Sequence, residues 1–454
     1  MLQSIHPATG RLIQTYPEST PQEIASILAA ADRAQRVWRA TPLDARAAVL
    51  RRAAQRLREG KDRFAALMAA EMGKPVAQGR AESEKCAWVC DYFAERAAGF
   101  LEPERVESDA ARSYVAFPPL GTVLAVMPWN FPFWQVFRFA APALMAGNAG
   151  VLKHASNVSG CALAIGEIFR EAGAPEGLFG VLLLGSARMG EVIEAPEIRA
   201  VTLTGSTPAG RAVAAAAGRV LKKTVLELGG SDPYVILEDA DLDAAAEICA
   251  VARIMNGGQS CIAAKRFIVP RAIHAAFTER FVAAMRAKRM GDPEDETVDL
   301  GPQARRDLRD QLHAQVVESV RRGATVALGG KPAPGPGAFY PPTVLLGVRP
   351  GMPAYEEELF GPVAAVIEAE DEEDAIRIAN DTAFGLGAAV FSRDAERAER
   401  IAADRLEAGC CFVNALVKSD PRLPFGGIKE SGYGRELSHF GLREFVNVKT
   451  VYVK

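Results

Sequence analysis

The sequence predicts an α/β protein with two parallel-sheet domains of the nucleotide-binding type. Two series of short apolar runs alternating with helix-like stretches carry this reading, one over residues 113–228 and the other over 234–413. Such alternation indicates βαβ units, which close into parallel sheets with helices on both faces. Length agrees, because 454 residues exceed what one ordinary core accommodates.

Ahead of the first series, Pro21–Trp38, Pro42–Glu59, Asp62–Met72 and Gly79–Gly99 show apolar spacing of three and four and read as amphipathic helices covering a sheet. Their charge-rich faces read as solvated surface. The first series then runs through strand Ser113–Phe117, buried strand Gly121–Met127, strand Gly150–Lys153, helix 158–173, strand Gly180–Leu184, a helix around Met189–Glu194, strand Ala200–Thr204, helix Pro208–Ala217 and strand Val225–Leu228. The second comprises strand 234–237, helix 242–255, strand 267–269, helix 272–288, helix 303–321, strands 324–328, 343–346 and 363–367, helix 372–380, strand 387–391, helix 394–407 and strand 411–413. Lys331–Pro342, rich in Pro and Gly, reads as a surface loop, and Phe445–Val453 alternates like an edge strand.

Composition excludes several classes. A net charge of -3 argues against a nucleic-acid or anionic-membrane binder. Tyr114–Phe137 is uncharged, but Pro118, Pro119, Pro128 and Pro132 prevent one continuous membrane-spanning helix. Met1–Arg11 has no signal-peptide pattern. Seven cysteines, an odd count with no Cys-x-x-Cys pair, fit free thiols in a reducing, cytoplasmic setting, with no metal site expected.

Chemistry concentrates in four stretches. Gly257-Gly258-Gln259-Ser260-Cys261 places a thiol on a tight connection between a helix and a strand, beside backbone N–H groups. Met127-Pro-Trp-Asn130-Phe-Pro-Phe133 sets an amide after a buried strand, between stiffening prolines. Val225-Leu-Glu227-Leu-Gly-Gly230 puts a carboxylate in an apolar strand, where burial tunes it toward a general base near neutral pH. Glu356-Glu-Glu358-Leu-Phe-Gly-Pro362 carries acids before a turn. No Gly-x-Gly-x-x-Gly follows a predicted strand, but Thr204-Gly205-Ser206-Thr207-Pro208 ends a strand and opens a helix whose free N–H groups suit a pyrophosphate.

In this order, these stretches resemble the aldehyde dehydrogenase superfamily from about residue 5 to the end. Asn130–Asn148 and Gly432–Gly441 are similar above all to the bacterial succinate-semialdehyde dehydrogenases. The resemblance implies two Rossmann-type domains and a small β oligomerisation element. Residues 1–101 and 118–229 would form the NAD(P)-binding domain, 230–428 the catalytic domain, and 102–117 with 429–454 the element joining a homodimer or homotetramer. It implies further that Cys261 attacks the aldehyde as a thiolate. The Asn130 side chain and the Cys261 N–H would then hold the oxyanion. Glu227 would activate the water that hydrolyses the thioester.

For the cofactor, the same likeness places the adenosine ribose near Lys153, the pyrophosphate near Gly205 and Ser206, and the nicotinamide ribose near Glu358, with Trp129 and Phe360 lining the pocket. Ser156 stands where NAD-preferring relatives often carry Glu; without that carboxylate a 2′-phosphate is not repelled, and NAD or NADP is expected. For the substrate, Arg138 matches a carboxylate-binding arginine and Ser419 a second contact. Met255 stands where some relatives have another arginine, a loss for which Arg422 is the candidate substitute. Ala263 replaces a second cysteine found in some relatives. The rival readings are a broader aldehyde dehydrogenase acting on glutarate semialdehyde or apolar aldehydes, a catalytically silent homologue, and a cysteine hydrolase; the last lacks a His in a suitable context.

Overall fold

A computed structural model describes all 454 residues. The first series forms a six-stranded sheet in the order 432–433, 223–227, 198–204, 122–127, 149–154, 179–182. All pairings are parallel except that of Gly432–Tyr433 with the Lys223–Glu227 strand. The second series forms a seven-stranded sheet in the order 325–328, 343–346, 363–369, 266–270, 233–236, 387–391, 410–413. It too is parallel, apart from the antiparallel edge strand Thr325–Leu328. Buried apolar side chains cover both faces of the second sheet, Val235, Ile268 and Val390 on one and Tyr234, Phe267 and Val366 on the other. Such burial on both faces explains why these strands read as continuous apolar runs.

The four expected helices form as Pro21–Trp38, Leu43–Glu59, Lys61–Met72 and Val76–Phe100, but only the first packs directly on the six-stranded sheet; the other three pack on one another and on the helices Trp134–Met145 and Ser159–Glu171. The first starts at a capping box, in which Thr20 Oγ1 accepts from the Glu23 N–H and the Glu23 carboxylate accepts from the Thr20 N–H. Several elements escaped the sequence reading, among them the following three. A hairpin, Leu2–Ile5 with Leu12–Tyr16, has a pattern too short to separate from loop. The helix Trp134–Met145 is buried at every position, so it lacks the polar stripe that reveals a helix. The short helix Ser438–Arg443 is the third. No helix is long and apolar enough to cross a membrane.

The terminal strand Lys449–Val453 pairs with Arg112–Ala116, which pairs with Glu104–Arg105, giving a three-stranded antiparallel sheet. The segment after residue 428 is shared more widely than expected. Gly432–Tyr433 extends the six-stranded sheet, and Ile428–Lys429 pairs with Phe384–Gly385.

The carboxyl edge of the six-stranded sheet carries Met127, Thr204 and Glu227 at its strand ends. Facing it are the loops that enter the seven-stranded sheet, residues 228–232, 255–265 and 357–362. A crevice at carboxyl strand ends is where open α/β sheets bind ligands.

Gly432 closes the seam between the chain's last segment and this sheet. Its φ is +107°, and a β-carbon there would collide with the Leu226 carbonyl. Gly432→Ala is therefore expected to destabilise the protein by about 2–5 kcal/mol, combining a strained φ with backbone overpacking. The midpoint of denaturant unfolding measures it.

Candidate active site

Cys261 lies in the loop between the helix Leu242–Ile254 and the strand Arg266–Pro270. The backbone that delivers it is unusual. Asn256 and Gly257 adopt left-handed conformations, with φ of 56° and 64°. Asn256 Nδ2 donates to the carbonyls of Asn130 at 2.7 Å and Gln259 at 3.2 Å. At Gly258, φ is +72° and a β-carbon would strike the Gly361 backbone, so only glycine lets this loop pack on the segment carrying Glu358 and Phe360. Behind the thiol, Lys265 Nζ donates to the carbonyls of Ser260 at 2.8 Å and Cys261 at 2.6 Å. Those carbonyls are thereby turned away, toward the buried ammonium. Ala263 is buried two residues on.

The Cys261 thiol is pushed up to about 12, chiefly by burial; Lys265 and Arg138 draw it down, while Glu358 and Glu227 oppose them. It rests as a protonated thiol at neutral pH, and attack requires loss of that proton.

Asn130 sits just past the strand Thr122–Met127 and is buried. Its Oδ1 accepts from Gln135 Nε2 at 3.1 Å, and its Nδ2 donates to the Gln259 carbonyl at 2.9 Å. The acceptor is thus committed, while the second Nδ2 hydrogen remains for an oxyanion near Cys261.

Glu227 ends its strand with its carboxyl fully buried and neither oxygen hydrogen-bonded. Burial holds it well above the ordinary carboxyl value of 4.5, with Arg138 opposing and Glu436 reinforcing the shift. Its Oε1 would lie 2.8 Å from a β-carbon on Gly426, so the side chain is folded against residues 426 and 434–435 rather than into the cavity at Cys261.

Two cavities meet at the thiol. One, of about 230 Å³, is lined by Trp129, Asn130, Gly205, Ser206, Glu358 and Phe360 along with Cys261. Trp129 and Phe360 meet edge to face at 5.7 Å. Glu358 accepts from the Gly230 N–H at 3.0 Å and faces Lys265 at 3.6 Å. A β-carbon at Gly229 would lie 2.7 Å from Glu358 Oε2, so a glycine keeps this floor open. Ser206 precedes the helix Thr207–Arg219, whose first turn contains Pro208. Lys153 and half-buried Ser156 follow along the same sheet edge, outside this cavity; the Lys153 ammonium, lowered by burial, has no charged partner acting on it.

The second cavity, of about 260 Å³, is lined by Phe131, Trp134, Arg138, Met255, Ser419 and Lys85, again with Cys261. Two expectations are corrected here. Arg138, expected as a free cation for a substrate carboxylate, is ion-paired with Glu436 and donates to Thr204 Oγ1 at 3.2 Å. Desolvation drives this, since a guanidinium only 2% exposed requires a counter-charge. Removing either partner of such a pair costs about 3–5 kcal/mol, because the other charge is left buried alone. Arg422 points outward, held by Asp420 at 2.6 and 2.8 Å with its side chain 66% exposed, and so does not offset Met255.

Sequence reading missed Glu82, Lys74, Lys85, Lys265 and Glu436. Glu82 and Lys85 belong to a helix whose charged residues read as solvated surface, and Lys74 lies in the connection just before it. Instead Glu82 pairs with Lys74 inside the protein and accepts the N–H groups of Phe133 and Trp134 at 2.9 Å each. Charge within an otherwise amphipathic pattern does not reveal which carboxylate is buried; the uncapped helix starting after Pro132 was the one available signal.

The family model for the aldehyde dehydrogenase family matches residues 1–451. The chain is 50% identical over 450 residues to a probable NADP(+) succinate-semialdehyde dehydrogenase of Synechocystis sp., covering 99% of each. It is 49% identical to the NAD(P)+ succinate semialdehyde dehydrogenase Sad of Escherichia coli, covering 99% of this chain and 97% of that one. Among solved structures, the succinic semialdehyde dehydrogenase of Streptococcus pyogenes in complex with NADP+ superposes with a TM-score of 0.97 at 38% identity, covering 100% of both chains. With a thiol, an amide donor and a buried carboxyl gathered at the meeting of two sheets, and with that likeness along its whole length, the chain belongs to the aldehyde dehydrogenase family.

Proposed function

We propose that this enzyme oxidises succinate semialdehyde to succinate with NAD or NADP, by way of a thiohemiacetal and then a thioester on Cys261. The observation that carries the reading is the convergence of Cys261 and Asn130 on a cavity that also holds Trp129, Gly205, Ser206, Glu358 and Phe360. Relatives named for succinate semialdehyde support the substrate.

The residues fit a nicotinamide dinucleotide: a helix N-terminus at Ser206, an uncompensated cation at Lys153, an open glycine floor at Gly229 and an aromatic pair. When bound, it supplies the hydride acceptor. The chain does the rest. Cys261 gives its proton to water and its sulfur bonds the aldehyde carbon, while the free Asn130 Nδ2 hydrogen and the Cys261 N–H take the oxyanion. Collapse expels hydride and leaves the thioester. Glu227, rotated from its pocket, takes a proton from water; hydroxide adds to the acyl carbon, and the thiolate departs. Glu358, anchored by Lys265 and Gly230, orients the ribose. Trp129 and Phe360 exclude water.

Lys153 and Ser156 are assigned to the adenosine ribose, where Ser156 tolerates a 2′-phosphate. Ser419 is assigned to the substrate. The reading includes a cytoplasmic setting, supported by seven free cysteines. It also includes a homodimer or homotetramer joined through the exposed strand Lys449–Val453, on which Tyr452 is 50% exposed.

Turnover is tested by following reduced-cofactor absorbance with a panel of aldehydes, NAD and NADP. Cys261→Ala abolishes it while cofactor binding persists; a variant that keeps most of its turnover would remove the nucleophile assignment.

Glu227→Gln fails at deacylation, giving a first-turnover burst of reduced cofactor and then a slow steady state. Because burial raises the Glu227 pKa and a base works only when deprotonated, wild-type kcat falls with decreasing pH through an apparent pKa well above 4.5. That limb disappears in the variant; its survival would point to a different base.

Ser156→Glu raises the ratio of kcat/KM for NAD over NADP by restoring repulsion of the 2′-phosphate. An unchanged ratio would show that this side chain does not face the ribose.

A further inference from the structure

Within the succinate-semialdehyde reading, we infer that Lys85 supplies the cation that binds the substrate's distal carboxylate, with Ser419 as its hydrogen-bonding partner. The cavity beside Cys261 contains four cations: Lys74, Lys85, Arg138 and Lys418. Lys74 is paired with Glu82 and Arg138 with Glu436, so neither charge is free. Lys418 is exposed to solvent. Lys85 alone is half-buried, faces the cavity and lacks a carboxylate within ion-pairing distance.

Its surroundings form a built anion site. Lys85 Nζ lies 4.1 Å from the Trp134 ring centroid and donates to Ser419 Oγ at 2.9 Å. The same Oγ accepts from Trp134 Nε1 at 3.1 Å. With both lone pairs taken, the Ser419 hydroxyl proton points elsewhere, and the cavity is the open direction. A carboxylate there receives the Lys85 ammonium and the Ser419 O–H together, two charge-assisted hydrogen bonds. Met255, Phe131 and Phe425 provide apolar wall, which strengthens such contacts by excluding water.

Charges from every side bear on Lys85. Burial and, after it, Arg138 on the facing helix lower its pKa to about 8, against the opposing pull of Cys86 and Glu82 on its own helix and Asp420 beyond Ser419. A bound carboxylate is one more opposing charge and stabilises the ammonium. The carboxylate site therefore weakens as pH climbs past the free enzyme's Lys85 titration.

The test compares succinate semialdehyde with butanal in the wild type, Lys85→Met and Lys85→Arg, with cofactor binding measured as a check on folding. In Lys85→Met, kcat/KM for succinate semialdehyde is expected to fall about 10- to 150-fold, mainly through KM, equivalent to about 1.4–3 kcal/mol at 1.4 kcal/mol per decade. Butanal loses far less, and Lys85→Arg recovers part of the loss. In the wild type, KM for succinate semialdehyde rises with pH above about 8 and that for butanal does not. Should Lys85→Met fail to bind cofactor, Ser419→Ala reads the same site from the other side, with the same selective loss expected. Equal losses on both aldehydes, or a wild-type preference that survives in Lys85→Met, would overturn the assignment of Lys85 and leave the substrate reading intact. A wild type that handles both aldehydes equally would overturn the substrate reading, and the role of Lys85 with it.

Discussion

The site depends on one buried carboxylate. Glu82, in the helix Val76–Phe100, meets the Lys74 ammonium on one side and the N–H groups of Phe133 and Trp134 on the other. Those N–H groups begin the helix Trp134–Met145, which otherwise has no side-chain cap. A carboxylate at a helix N-terminus satisfies orphan donors and the helix dipole together. Here it also fixes where Asn130, Gln135 and Arg138 stand, since they lie just before and within that helix. Through Lys74, packed 4.0 Å from the Phe131 ring centroid, the same interaction sets one wall of the larger cavity at Cys261. Burying the pair is costly unless every lone pair finds a donor. Glu82 offsets most of that cost by reaching three donors, with both oxygens engaged.

A second chain of buried charge runs behind Cys261. Arg138, Glu436 and Glu227 influence one another across the strand ends, so the protonation of the proposed base is set partly by an arginine that does not touch it. Lys265 plays the matching role for the thiol: it fixes the Ser260 and Cys261 carbonyls while its charge draws the Cys261 pKa down. Both devices act through buried cations that are themselves anchored, Arg138 by Glu436 and Lys265 by the Ser260 and Cys261 carbonyls.

Most of the fold was legible in the sequence because both sheets are parallel and buried, so their strands stand out as apolar runs between helices. The buried helix 134–145 was hidden for the same reason, as an apolar run without a polar stripe. Cys261, Asn130 and Glu227 were legible as residue types in revealing contexts: a glycine-rich turn, a proline-stiffened loop, an apolar strand. Arg138 was legible as a cation in an apolar neighbourhood. What was not legible was its partner, Glu436, nearly three hundred positions later and brought beside it only by folding. Lys85 was hidden because a helix alternating charge and alanine looks like surface, and only the packing of 76–100 against the 134–145 helix turns that face inward.

Two cavities open on Cys261, and among their lining residues they share only Cys261 and Gln135. The thiol is therefore a partition between two chambers rather than the floor of one. On the proposed assignment the aldehyde would occupy one chamber and the hydride acceptor the other, so that each meets the sulfur without passing its partner.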